Sequence, residues 1–192
     1  MLIDAATAKA LSAVIIISTQ GADILNPQLP FEVVDRGDMW LVKGTPYTDK
    51  QRGLQFCMCH IFIRKNSAEV AGIGCDGRMI LTEQEKSHWG KFMAKPDYDR
   101  VFGPSTEFSP SGIEDIVFAL YGGLINKPAD AVEYAHVLLQ TKPSLATIPA
   151  GALEARQENK VWHVMARKPG HADGAEVLSF SRRNGKVLSG EL

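Results

Sequence analysis

The chain has 192 residues, 45% of them apolar, and a formal net charge of −1 at pH 7, which is enough hydrocarbon for a sizeable core. So even a balance gives no footprint of the basic stripe of a nucleic-acid binder or of the polybasic stretch that holds a protein to an anionic membrane. Neither nucleic acid nor a membrane is therefore expected as a partner.

The first element is a helix from Asp4 to about Ser18, with alanines, Leu11, Val14 and Ile15 at helical spacings and Asp4 placed to cap it. Its apolar end does not read as an export signal, because the acid Asp4 precedes the first basic residue, Lys9. Ser18, Thr19, Gln20 and Asp23 stop the apolar run well short of a membrane span, so a soluble, cytoplasmic protein is expected. Phe31–Val34 and Trp40–Lys43 flank the turn-forming tetrad Asp35-Arg36-Gly37-Asp38 and predict a hairpin. From Gln55 to Arg64 runs a longer strand, apolar on both faces and hence covered on both or used in self-association. A turn at Lys65-Asn66-Ser67 and a strand from Glu69 to Ile73 follow, and Gly72–Gly77 reads as a further hairpin turn. Three cysteines, an odd number, predict reduced thiols, and the spacing Cys57-Met58-Cys59-His60 is not that of a zinc site, so no metal is expected.

Thr82–Glu85 and Ser111–Glu114 match capping boxes and predict helices over about 83–94 and 113–124. Between them, residues 95–110 hold three prolines and no periodicity, the pattern of a linker. Asn126 and Pro128 open a further helix with Val132, Ala135, Leu138 and Leu139 in its stripe. Strands are then expected over 151–156, 161–167 and 176–182, with Asn184-Gly185 as a hairpin turn.

The two ends of the chain share a pattern. Trp40-Leu41-Val42-Lys43 precedes Arg64-Lys65-Asn66, and Val161-Trp162-His163-Val164 precedes Arg182-Arg183-Asn184. From tryptophan to asparagine is 26 residues in the first case (Trp40 to Asn66) and 22 in the second (Trp162 to Asn184), with an alanine-rich amphipathic segment ahead of each. The expected fold class is α+β: two related cone-like halves, each a helix on an antiparallel sheet, packed into one body. The first half spans 1–81, a short helix and linker 82–110, and a second half with an extra helix 111–192.

Gly21-Ala22-Asp23-Ile24, Gln28–Val33, Trp40–Thr45 and Ile61–Lys65 before Glu69-Val70 occur in an order that resembles the bacterial immunity proteins with a nuclear-transport-factor-like fold. The likeness covers about residues 3–80, and the second half echoes it; the tandem arrangement departs from the single-domain form of that family. The resemblance implies a non-enzymatic inhibitor that binds a cognate toxin of interbacterial competition and occludes its active site, with no cofactor. A cytosolic inhibitor would face a nuclease or nucleotide-consuming toxin more readily than a wall hydrolase. Aromatic anchors beside acids suit such an interface, and Phe92, Asp97, Tyr98, Asp99 and Phe102 form the densest set, either as partner surface or as a solvated linker.

The alternative is a small-molecule enzyme or ligand-binding domain on the same cone, using His60 or a buried acid. Against it, His60 reads as a strand histidine, His88 as surface, His136 as a helix flank and His171 as part of a glycine-rich loop, while His163 alternates with Trp162 and Val164 and so points away from the core.

Overall fold

The computed structural model describes residues 2–49, 54–79, 123–167 and 174–190. The fold is α+β in a two-half arrangement, each half an antiparallel sheet with a helix against it.

Helix α1 spans Ala5–Gln20, ending two residues beyond the expected Ser18. Asp4 caps it as expected, its Oδ1 accepting the Thr7 amide at 2.8 Å. Gly21, at φ 99, ends it and turns the chain into the short helix α2 (Ala22–Leu25) and a 3-10 turn over Asn26–Gln28. Strands β1 (Glu32–Arg36) and β2 (Met39–Lys43) form the predicted hairpin, closed by the Gly37 amide donating to Asp35 Oδ1. The first sheet continues through β3 (Tyr47–Asp49), β4 (Leu54–Arg64) and β5 (Val70–Met79), in the order β1-β2-β4-β3 with β5 also on β4.

In the second half, helix α3 (Pro128–Leu139) lies against β6 (Leu153–Glu158) and β7 (Val161–Ala166), and β8 (Ala175–Ser181) and β9 (Val187–Gly190) complete the sheet. Helices α1 and α3 also pack on each other, so one continuous core runs through both halves: Leu11, Ile15, Ile61 and Ile63 from the first, Tyr134, Leu138, Trp162 and Phe180 from the second.

Three expectations are corrected. The Gly72–Gly77 stretch is not a turn but the body of β5, where Gly72 and Gly74 stand opposite Phe62 and His60. A Cβ on Gly74 would lie 2.6 Å from His60 Nε2, so the glycine makes room for a ring and does not bend the chain. Asn126 does not cap α3; Lys127 holds that position, while the Asn126 carboxamide oxygen accepts from Arg182 at 3.4 Å. Cys59 is disulfide-bonded, not a reduced thiol. The thiol argument for a reducing compartment therefore falls away. The helices expected over 83–94 and most of 113–124, the linker at 95–110, His88 and His171 lie outside the described residues.

Among the described residues no helix is long and apolar enough to cross a membrane.

Candidate functional site

Alternation along each strand gives both sheets an inner face against the helix and an outer face away from it. On the first sheet the inner face holds Val42, Ile61 and Ile63, and the outer face Leu41, His60 and Phe62. His60 meets Phe62 edge-on, with ring centroids 6.1 Å apart, and lies over Gly74.

The outer face of the second sheet is chemically different. Arg156, His163, Ser179 and Ser189 stand in register across β6, β7, β8 and β9. A bulge after Val164 then pairs Met165 with Glu176, bringing that carboxylate onto the same face. His163 Nδ1 lies 2.8 Å from Glu176 Oε2, Ser189 Oγ donates to Glu176 Oε1 at 3.2 Å, and the Ser179 and Ser189 hydroxyls are 2.6 Å apart. Beside this chain Glu154 accepts from both Arg167 and Arg156, whose guanidinium groups hold its carboxyl below the ordinary carboxylate value. With Nδ1 engaged, Nε2 is the atom of the His163 ring left for a further partner.

The His163 and Glu176 side chains are 30% and 41% exposed on an open sheet. A carboxylate-oriented imidazole gains most as a base where water is excluded and the surroundings are of low dielectric, and these two side chains are part-exposed. What it does supply is a fixed pattern of donors and acceptors, the kind of group that sets the orientation of a partner surface. Among the described residues no three His, Cys, Asp or Glu side chains gather as a metal site would require.

The five residues singled out from the sequence, Phe92, Asp97, Tyr98, Asp99 and Phe102, lie outside the described residues. His136 sits on the flank of α3, 3.0 Å from the Gln140 amide. Alternation places His163 on the outer face, but its pairing with Glu176 depends on the bulge, which no local sequence signal marks. In comparisons with protein-family models, curated proteins and solved structures, nothing matches this chain.

Proposed function

We propose that this protein is a binding protein of the immunity type, a cone-like inhibitor that covers the active site of a cognate bacterial toxin. The observation that carries the reading is the filling of the two halves. Trp162, Tyr134, Phe180, Leu11, Ile61 and Ile63 occupy the interior with almost no exposure. Among the described residues the buried polar side chains, Ser12, Gln28, Ser179 and Asn184, are all uncharged. A catalytic cone needs an enclosed cavity with an ionisable group at its base, whereas among the described residues the His163–Glu176 pair lies part-exposed on the outer face of the second sheet. Phe92, Asp97, Tyr98, Asp99 and Phe102 belong to the proposed partner surface by their composition.

The experiment is co-expression with any toxin domain found encoded beside this gene, read as rescue of growth and as binding of the purified pair by calorimetry. Rescue with a tight one-to-one complex supports the reading; turnover of a small molecule by the chain alone, without complex formation, overturns it. The second reading, a small-molecule enzyme of the same cone fold, draws on the His163–Glu176 pair, and loss of that turnover in His163→Ala is its test.

A further inference from the structure

Several hydrogen bonds of the two halves correspond. Trp40 Nε1 donates to Ile3 O at 2.9 Å, and Trp162 Nε1 donates to Ile125 O at 2.9 Å. The amides of Lys65 and Arg182 reach Asp38 O and Lys160 O, those of Arg64 and Ser181 reach Glu69 O and Lys186 O, and those of Ala68 and Gly185 reach Arg64 O and Ser181 O. Ala68 and Gly185 both have positive φ, 55° and 70°. Equivalent residues are 122 positions apart as far as β2 and β7 (Trp40 to Trp162) and 117 apart at the following turns (Ala68 to Gly185).

The same equivalence governs the junction. The Val70 amide donates to Asn184 O at 2.8 Å, and the Val187 amide donates to Ser67 O at 3.1 Å. Val70 corresponds to Val187 and Ser67 to Asn184, so each bond is the other's image under a two-fold rotation, as in an interface between identical subunits. The Tyr134 hydroxyl stands between the two turns, 2.9 Å from Ala68 O and 3.3 Å from Gly185 O. Those carbonyls are themselves equivalent, which puts the hydroxyl beside the pseudo-axis, displaced toward Ala68 O. The counterpart of Tyr134 on α1 is Ser12, fully buried, with no hydrogen-bond partner for its hydroxyl.

We infer that the junction is a two-fold, subunit-type interface built within one chain, and that Tyr134 opposite Ser12 is the pair that makes each half accept only an unlike half. One phenol fills the axis and bonds both turns. Two would compete for one space, while two serines would leave a void and a second buried hydroxyl without a partner. The partner fitted by the first half's junction surface (Ser12, Ser67, Val70) is thus a half that presents a tyrosine at the axis, the second half of this chain.

The test uses the full chain as S12Y, Y134S and the transposed S12Y/Y134S, read by thermal unfolding and light scattering. Gly185 leaves room for the Tyr134 hydroxyl where Ala68 stands in the first half, so the transposition is also made with A68G. Each single variant should lose about 10 °C in Tm, and a transposed variant should recover at least half of the combined loss as a monomer. Singles that fail to fold beside a transposed chain that folds give the same result. Single variants of unchanged Tm, or losses that add in the transposed chains with and without A68G, overturn the inference.

Discussion

Gly185→Ala separates two costs that a positive-φ glycine can carry. At φ 70° any L side chain is strained, by about 1–2 kcal/mol. A Cβ at Gly185 would also fall 2.3 Å from Tyr134 Oη and 2.8 Å from its Cζ, and Tyr134 is fully buried. Overpacking of this kind adds about 1–3 kcal/mol. The total, about 2–5 kcal/mol, corresponds to a fall in Tm of about 5–20 °C for a chain of this size. Gly37 is the control: its φ is 77°, and a Cβ there would meet nothing within 4 Å. Gly37→Ala should pay the strain alone, about 1–2 kcal/mol. Urea unfolding of the two variants side by side checks the argument. Equal losses in both would refute the claim that Tyr134 occupies the space beside Gly185.

Gln28→Ala should cost about 2–4 kcal/mol, because the buried carboxamide accepts the Cys59 amide at 2.6 Å and donates to Ile24 O at 2.8 Å, leaving both groups unpaired; a loss under about 1 kcal/mol in urea unfolding would count against those bonds. Acid should destabilise through Asp4, held below its ordinary 3.8 by the Thr7 amide, Asp35, held down by Lys65 and the Gly37 amide, and Glu154, held below 4.5 by Arg167 and Arg156. Each has a lower value folded than unfolded, so its contribution is present above the ordinary value and is lost as pH falls through the folded one. The Tm of D4N/D35N/E154Q should accordingly vary less with pH below about 5 than that of the wild type. Thiol titration of the unreduced, denatured protein should find one free cysteine, since Cys59 is disulfide-bonded and the chain has three; three free thiols would contradict the bond.

Local rules sufficed where the determining contact is local. Asp4 caps its helix through a residue three positions away, and the β1–β2 turn is closed by Asp35 two positions from Gly37. They failed where the partner is distant in the chain. Gly72 and Gly74 carry the signature of a turn, yet both lie within β5 opposite Phe62 and His60, and Gly74 makes room for the His60 ring. Asn126 is a fair cap by residue type, but its side chain is taken by Arg182, 56 residues on. An odd cysteine count gives no sign of the disulfide that Cys59 makes. The same holds for the candidate site, since Glu176 on β8 reaches His163 on β7 through a bulge.

The equivalence between the halves supplies an internal control on that site. The positions matching His163, Glu176, Ser179 and Ser189 are Leu41, His60, Phe62 and Gly72, paired along the first sheet in the same registers. Residues that build the scaffold keep their character between halves: Trp40 and Trp162, Val42 and Val164, Val70 and Val187. The outer faces do not, so the first sheet forms without the hydrogen-bonded set that the second displays. A set the scaffold does not need should be removable without structural loss. His163→Leu with Glu176→Gln, which installs the first half's residue at one position and removes the charge at the other, should therefore leave Tm within about 3 °C of wild type, as expected of exposed pairs. If the outer face of the second sheet recognises the partner, the same variant should weaken the complex at least tenfold in calorimetry, a binding defect without a folding defect. A chain that loses both together would place these residues among the structural contacts instead.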